Sequence, residues 1–291
     1  MNNFFTHSIC RNFFKFFYKI THSAALRHNR MYWPLFRVER DNEGTLNKVY
    51  FQNILIADNT ILEKTNNNTA VLVATGPSIK TISPEVFKQT SCDYIGVNGA
   101  ISLDIQFQYY VIIDHNFTTK RFDLVLKVLQ SDLILFITPK CLDLILRRVK
   151  FKDITCKIKV IETITENIIT SLLAEKQVEN KNTKHYFYHN EYGFSTRIFH
   201  SIFDYFTVAY VALQVTHALQ YEKIYIAGLD MNDFNTPRFY ESKDNKQPTM
   251  LDQYSKVIFP AFDAAAQFFK EENIKVFNLS KTSAIESFEK K

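Results

Sequence analysis

The chain is poor in the residues that most often mark cofactor, metal and disulfide sites. It has only 6 glycines and 7 prolines in 291 residues, and no G-x-G-x-x-G or Walker-type loop, which argues against a dinucleotide cofactor and an ATPase. Its 4 cysteines form no CxxC pair and have no histidine at metal-ligand spacing, so the sequence suggests neither a zinc site nor a disulfide framework. It also has no uncharged apolar run long enough to span a bilayer and no continuous signal-peptide core, and we expect a cytoplasmic protein.

Acidic residues are nearly absent from the first forty positions. Glu39 is the only acid there, against seven arginines and lysines: Arg11, Lys15, Lys19, Arg27, Arg30, Arg37 and Arg40. On a helix, the apolar residues Phe13, Phe16, Phe17 and Ile20 would share one face. This pattern predicts a basic amphipathic extension over residues 1–60 that contacts an anionic membrane surface. The alternatives are a helix packed on its own domain and a nucleic-acid patch, but no nucleic-acid motif accompanies the segment and we expect no such partner.

The chain as a whole has the composition of a soluble globular protein, with 46% hydrophobic and 22% charged residues. Continuous apolar runs predict strands at Thr69–Ala74, Tyr94–Val97, Tyr109–Ile113, Leu133–Ile137, Lys157–Ile161, Lys223–Ala227 and Lys275–Leu279. Helices are predicted at Pro84–Gln89, Asn116–Gln130, Leu142–Lys150, Ile164–Glu175, Phe206–Gln220 and Phe259–Glu272. Continuous rather than alternating apolar strands, separated by helices, are typical of a doubly wound, mainly parallel α/β sheet. We predict one such domain over residues 61–291, with irregular segments at 176–200 and at 232–257, the second acting as a lid.

Polar residues follow four of the predicted strands. They are Thr75-Gly76-Pro77-Ser78, Asn98-Gly99, Asp114-His115-Asn116 and Gly228-Leu229-Asp230. Ligands of open α/β sheets bind outside the carboxyl ends of the strands, so the four groups predict one shared site. Taken singly, each is also a turn or a helix N-cap.

The acidic residues of this region do not favour a metal site. Asp230 and Asp233 form a single acidic pair with no third ligand at suitable spacing, so we expect no metal and no other cofactor. Ser78 lies outside any G-x-S-x-G elbow, which gives a hydrolase triad little support.

Several of these motifs together resemble a known family. VLVATGPSIK, VNGA and ALQYEKIYIAGLDM resemble family 42 sialyltransferases, which use CMP-activated acidic sugars. VNGA, the Asp114 strand end, GLD followed by PRFY, and then IFPAF and NLSKTSAI are more similar to WaaZ-type transferases, which add a Kdo (3-deoxy-D-manno-octulosonic acid) residue to the lipopolysaccharide core. The resemblance covers about residues 69–285 and implies a Rossmann-like, GT-A-like fold of the sialyltransferase type.

The resemblance implies donor-binding roles at matching positions. Thr75, Gly76, Pro77 and Ser78 would form the nucleotide-facing loop, Asn98 and Gly99 would reach the phosphate or sugar, and Gly228 and Asp230 would receive the ribose. Thr207 would stand at a helix start that faces the anionic groups of the donor. Tyr240 would donate a hydrogen bond to the leaving phosphate as a catalytic residue, and Arg238 would add guanidinium donors.

The chain also departs from the sialyltransferase pattern. The lid histidine that serves those enzymes as general base is missing, and so is a second lid tyrosine. Asp114 and His115 are therefore the candidates for the base, because both stand at a strand end on the ligand edge. His185, His189 and His200, in the irregular segment 176–200, are alternatives.

These features together predict a transferase that works on the inner face of a bacterial inner membrane. It would move Kdo from a CMP-activated donor to a lipopolysaccharide or lipooligosaccharide acceptor and release CMP. The alternatives are a sialyltransferase that uses CMP-sialic acid, a nucleotide-dependent hydrolase or phosphotransferase, and a membrane-associated scaffold without catalysis. The pattern leaves the acceptor linkage and the oligomeric state open.

Overall fold

The computed structural model describes residues 8–291, so the beginning of the predicted extension lies outside the described residues. The strands are β1 (Phe36–Arg40), β2 (Leu46–Phe51), β3 (Ile54–Asp58), β4 (Thr69–Val73), β5 (Asp93–Val97), β6 (Tyr109–Ile112), β7 (Ile134–Ile137), β8 (Lys157–Val160), β9 (Thr163–Thr165), β10 (Ile168–Ile169), β11 (Gln177–Val178), β12 (Tyr186–His189), β13 (Tyr192–Ser195), β14 (Ile202–Phe203), β15 (Lys223–Ala227), β16 (Lys275–Asn278) and β17 (Glu289–Lys290). The α-helices are α1 (Ser8–Thr21), α2 (His115–Lys120), α3 (Phe122–Leu129), α4 (Pro139–Leu146), α5 (Val208–Ala218) and α6 (Ser255–Glu271). Short 3₁₀ helices include Ala24–Met31, Pro77–Thr81 and Asn98–Ser102.

An eight-stranded parallel sheet forms the centre of the molecule. Its strand order is β17-β16-β15-β4-β5-β6-β7-β8, and every neighbouring pair is parallel. The chain builds the sheet outward from β4 to β8 and then returns to add β15, β16 and β17 on the other side of β4. The strand order therefore reverses between β4 and β15, and the prediction of a doubly wound parallel sheet is confirmed.

The two faces of the sheet are covered by different helices. Ala70 and Leu72 of β4 point into a core that contains residues of α5 and α6. Val71 and Val73 alternate with them and point into a second core, which contains residues of α2, α3 and α4. Seven of the eight strands are covered on both faces and therefore have continuous apolar runs, which is why they could be predicted from the sequence. The two-residue edge strand β17 has no such run and was not predicted.

A small antiparallel sheet, β1-β2-β3, extends the second core. Leu46 and Val49 are fully buried in it, and the side-chain amide of Asn59 donates to the carbonyl of Leu46 at 2.9 Å and to that of Val160 in β8 at 2.8 Å. Residues 36–58 thus share a core with the parallel sheet. The predicted division at residue 60 does not coincide with a gap in this packing.

The predicted helix at Ile164–Glu175 is wrong. This segment holds β9 and β10, which pair antiparallel around Glu166 and Asn167. Both turn residues have positive φ angles, 49° and 62°, as a two-residue hairpin of this kind requires. The predicted helix at Asn116–Gln130 is divided at Arg121 into α2 and α3, and the segment 176–200, predicted to be irregular, contains the β12–β13 hairpin.

Helix α1 lies against the protein along one face only. Tyr18 is buried, and its ring packs 5.8 Å from the ring of Trp33. On the opposite face, Phe13, Phe16 and Ile20 are 64%, 63% and 67% exposed. Within residues 8–291, none of the helices has both the length and the apolar character that crossing a bilayer would require.

Candidate functional site

The turn after β4 meets the turn after β15 at the point where the strand order reverses. The backbone N–H of Gly76 donates to the carbonyl of Gly228 at 2.8 Å. A Cβ on Gly76 would overlap Oδ2 of Asp230 and would lie 2.5 Å from the carbonyl oxygen of Gly228. The φ of Gly76 is −68°, which any residue can adopt, so glycine is required here for close approach of two backbones.

Gly228 is required for a different reason. Its φ is +77°, in the left-handed region, and a Cβ would lie 2.7 Å from Cγ1 of Ile79. This conformation turns the chain after β15 so that Asp230 comes back toward the turn after β4.

Asp230 joins the two turns through its side chain. Its Oδ2 accepts a hydrogen bond from the backbone N–H of Ser78 at 2.9 Å. Its Oδ1 is buried and has no hydrogen-bond partner among the residues that the structure describes. A buried carboxylate oxygen without a donor is rare in folded proteins, because its desolvation is not offset. Asp230 therefore carries an unsatisfied acceptor at the switch point between β4 and β15, where open α/β sheets form their ligand cleft.

Asn98 presents a second acceptor after β5. Its side-chain Oδ1 is also buried and has no partner within residues 8–291, and its φ of 45° is left-handed. The phenol of Tyr110 holds this turn from β6, because its hydroxyl donates to the carbonyl of Asn98 at 2.7 Å and accepts from the N–H of Ile101 at 2.7 Å. The sequence does not indicate this role for Tyr110, because its position predicts only a buried strand residue.

Tyr240 lies against the turn after β5. A Cβ on Gly99 would overlap the Tyr240 ring, and the ring of Phe117 in α2 meets it edge-on at 6.5 Å. The N–H of Phe239 donates to the carbonyl of Thr75 at 3.3 Å, which fastens this part of the lid segment to the turn after β4. Burial raises the pKa of Tyr240 to about 12, so its phenol stays protonated at neutral pH.

Two arginines lie near Tyr240. The guanidinium of Arg121 is 5.3 Å from the centre of the Tyr240 ring, and its Nη1 is buried with no partner among the described residues. Arg238 donates from Nη1 to the fully buried carboxylate of Glu241 at 2.9 Å. Sequence reasoning missed Arg121 and Glu241, since neither belongs to a recognisable motif. Arg238 is thus held by its own loop, and Arg121 is held by Asp123, to which its Nε donates at 3.3 Å, but keeps an unpartnered Nη1.

Asp114 and His115 begin α2 beside this group. Oδ1 of Asp114 accepts from the N–H of Asn116 at 2.7 Å. Asp114 is therefore a helix N-cap, which was the structural alternative to a catalytic role for this residue. The negative charge of Asp114 also acts on Tyr240 and helps to raise the pKa of its phenol. Burial, followed by the charge of Lys140, lowers the pKa of His115, which keeps its imidazole neutral and able to accept a proton.

Ser78 and Thr207 both lie at the carboxyl edge of the parallel sheet. The hydroxyl of Ser78 hydrogen-bonds to that of Ser280, after β16, at 2.7 Å, a contact that sequence spacing could not have indicated. Thr207 is the N-cap residue of α5, and its side chain makes no capping bond. Because α5 leads directly into β15, it runs opposite to the parallel strands, and its N-terminus lies at their carboxyl edge.

The acids near the cleft do not converge on a metal. Asp233 accepts from the N–H groups of Asn235 and Thr236, at 2.9 and 3.2 Å, so its carboxylate serves its own turn. Within residues 8–291, no three His, Cys, Asp or Glu side chains are arranged to hold a metal ion.

These contacts define an α/β protein with a cluster of polar residues at the switch point of a parallel sheet, the place where such sheets bind their ligands. The groups after β4, β5 and β15 and the Arg238–Tyr240 segment meet there, while Pro77 supplies only the start of a 3₁₀ helix. The chain belongs to the family of the 3-deoxy-D-manno-octulosonic acid transferase WaaZ, whose sequence profile matches residues 50–288.

Individual relatives match over shorter stretches. The chain is 37% identical over 79 residues to a probable 3-deoxy-manno-octulosonic acid transferase of Salmonella typhimurium, and 33% identical over 82 residues to one of Escherichia coli. Each match covers 27% of this chain, and it spans only 28% and 27% of the respective relative. The crystal structure of the monofunctional alpha-2,3-sialyltransferase Cst-I from Campylobacter jejuni aligns with 80% of this chain and 83% of its own, at 12% identity and a TM-score of 0.42.

Proposed function

We propose that this protein transfers Kdo from a CMP-activated donor to a lipopolysaccharide or lipooligosaccharide acceptor and releases CMP. The observation that carries the proposal is the pair of buried, unpartnered acceptors, Oδ1 of Asp230 and Oδ1 of Asn98, in the switch-point cleft of a chain of this family. Ribose hydroxyls and the cytosine amino group are donors, and they would satisfy such acceptors.

The reaction needs a proton acceptor on one side and anion stabilisation on the other. The acceptor hydroxyl would attack the anomeric carbon of Kdo while its proton passes to the base, and the bond to the phosphate oxygen would break to release CMP. His115 is the better candidate for the base, because Oδ1 of Asp114 is already used as an N-cap.

The departing phosphate would be held by three groups. The Tyr240 phenol would donate a hydrogen bond that strengthens as charge develops. Arg121 has an unpartnered Nη1 beside that phenol. The N-terminus of α5, at Thr207, would add backbone N–H groups to the same charge.

We place the protein at the inner face of the bacterial inner membrane. The exposed apolar face of α1 would contact anionic lipids, and no metal would be required for turnover. Loss of activity in excess EDTA, with recovery on adding Mg²⁺ or Mn²⁺, would contradict metal-independent turnover.

The proposal is tested by measuring CMP release from CMP-Kdo and CMP-sialic acid, each with and without short-core lipopolysaccharide. We expect acceptor-dependent release from CMP-Kdo and little from CMP-sialic acid. Preference for CMP-sialic acid would make the protein a sialyltransferase. Release without acceptor would indicate a hydrolase, and no release from either donor would leave a non-catalytic scaffold.

A further inference from the structure

A tyrosine and a glycine stand beside each other in the two strands that lead to the turn at Asn98. Gly96 of β5 pairs in register with Tyr110 of β6, and a Cβ on Gly96 would overlap Cε2 of the Tyr110 ring. The φ of Gly96 is not in the left-handed region, so this position needs glycine for the space that it leaves and not for its backbone freedom. The missing side chain allows the Tyr110 ring to lie across β5.

The ring carries its hydroxyl group to the turn after β5. Tyr110 is fully buried, and the ring of Phe107 meets it edge-on at 5.4 Å. Its hydroxyl donates to the carbonyl of Asn98 and accepts from the N–H of Ile101, both at 2.7 Å. Burial raises the pKa of Tyr110 well above its ordinary value, so the hydroxyl keeps the proton that it donates. The phenol thus joins the two ends of the first turn of the 3₁₀ helix Asn98–Ser102.

The backbone of this turn needs such support. The φ of Asn98 is 45°, a left-handed value that a residue other than glycine keeps where its surroundings hold it. The same residue carries the buried, unpartnered Oδ1, and the next residue, Gly99, is the one on which Tyr240 packs. The positions of two groups of the proposed ligand site therefore depend on the turn that Tyr110 holds.

We propose that Tyr110 is a positioning residue for recognition of the nucleotide in the cleft. Because Tyr110 fixes the turn before the ligand arrives, the amide oxygen of Asn98 would meet a ribose hydroxyl or the cytosine amino group without a further loss of backbone freedom. This role rests on the CMP-sugar binding proposed above and adds to it a residue that does not touch the ligand. A tyrosine that served only the core would make the same two hydrogen bonds, and the test separates these roles.

The test is a double-mutant cycle on the full chain, with CMP binding measured by calorimetry. Tyr110→Phe keeps the ring beside Gly96 and removes the hydroxyl. We expect CMP to bind about tenfold more weakly, the effect of one hydrogen bond at a buried site. Asn98→Gly removes the amide that Tyr110 positions, so adding Tyr110→Phe to it should weaken binding by less than about twofold. Equal losses in the two backgrounds would overturn the positioning role.

Tyr109→Phe is the matched control. Tyr109 is the preceding residue of β6 and is also buried, but it belongs to the other core, and its hydroxyl donates to the carbonyl of Glu63 at 3.2 Å. This variant should lower the unfolding midpoint about as much as Tyr110→Phe and leave the CMP affinity at the wild-type value. A loss of CMP affinity equal to that of Tyr110→Phe would also overturn the proposal.

A measurement on the unmodified protein tests the same role whether or not Tyr110→Phe folds. In hydrogen exchange followed by NMR, the amide of Ile101 should exchange as slowly as those of β5 before CMP is added. Rapid exchange that slows only with CMP would show that the ligand orders the turn, and it would overturn the role of Tyr110. No binding of CMP by the wild type would refute the proposed function together with this role. Equal CMP binding by the wild type and Tyr110→Phe would refute the role alone.

Discussion

At the scale of single residues, the sequence predicts several of the residues that form the cleft, but it does not show which contacts make them necessary there. The Gly-Pro pair after β4 predicted a turn, and Asp230 was predicted to accept a hydrogen bond from the ligand. The structure shows why Gly76 is needed. Its φ is ordinary, but a Cβ at this position would collide with the backbone of Gly228 and the carboxylate of Asp230. Ser280 and Arg121 could not be predicted, because their contacts join residues distant in sequence and follow no motif.

Tyr240 tests the role of the phenol in the departure of phosphate. Tyr240→Phe keeps the ring that packs on Gly99 and removes only the donor. We expect turnover of CMP-Kdo to fall by about 10²–10³, because such a donor acts mainly in the transition state, with donor affinity nearly unchanged. Tyr225→Phe, the same change on β15, is the control. Wild-type turnover in Tyr240→Phe would show that other groups hold the phosphate.

Asp230 tests the acceptor in the cleft. In Asp230→Asn, one side-chain oxygen can still accept from Ser78, but an amino group replaces the free oxygen. We expect CMP to bind about 10- to 100-fold more weakly, the range for a lost hydrogen bond to a charged group, as measured by calorimetry. Asp233→Asn, in the neighbouring exposed turn, should bind CMP like the wild type. Equal weakening in both variants would show a general charge effect instead.

At the scale of elements, buried strands were predictable and short irregular ones were not. Seven of the eight strands of the parallel sheet carry continuous apolar runs because both of their faces are covered, and only the two-residue edge strand β17 lacks such a run. The hairpin of β9 and β10 contains only two- and three-residue strands, so its apolar residues could equally be spaced for a helix. Strands β1–β3 were predicted to belong to the basic extension. Their apolar residues are interleaved with basic ones, so the alternation that marks a half-buried strand was not recognised.

An ion pair joins β1 to the residues directly after β8, and breaking it tests whether β1–β3 belong to the fold. Arg40 donates to both oxygens of Glu162, at 2.8 and 2.5 Å, and the Glu162 side chain is fully buried. Arg40→Met should lower the free energy of unfolding by about 3–5 kcal/mol, because it leaves a buried carboxylate without its cation. Urea unfolding followed by circular dichroism measures the change.

Arg37→Met, on the same strand but exposed, is the control and should leave the unfolding midpoint nearly unchanged. A similarly small effect of Arg40→Met would mean that β1 contributes little to the fold and that the chain before residue 61 is a separable extension.

At the scale of the whole molecule, the polar cleft and the exposed face of α1 are separate features of one chain. The amphipathic pattern of the N-terminus predicted which apolar residues share a face, and these residues are exposed. Pattern alone could not show that Phe14 and Tyr18, on the inward side of α1, pack on Trp33, because that contact depends on the tertiary fold.

The apolar face of α1 can be tested without disturbing the core. Phe13→Ser/Phe16→Ser should reduce co-sedimentation with anionic vesicles severalfold, since two exposed aromatic rings no longer enter the interface, while the unfolding midpoint stays the same. Ile54→Ser/Leu55→Ser, which removes two exposed apolar side chains from β3, should not affect vesicle binding. Equal losses in the two variants would contradict a specific membrane face.

The central claim is that the switch-point cleft binds the nucleotide of a CMP-sugar. Calorimetric titration of the full chain with CMP tests it most directly, with Asn98→Gly as the paired variant, because glycine keeps the left-handed turn and removes the side chain that carries the unpartnered amide oxygen. We predict one CMP per chain and an affinity about tenfold lower in the variant, the effect of one hydrogen bond in a buried site. No heat of binding with the wild type, or the same affinity in both proteins, would contradict this account of the cleft.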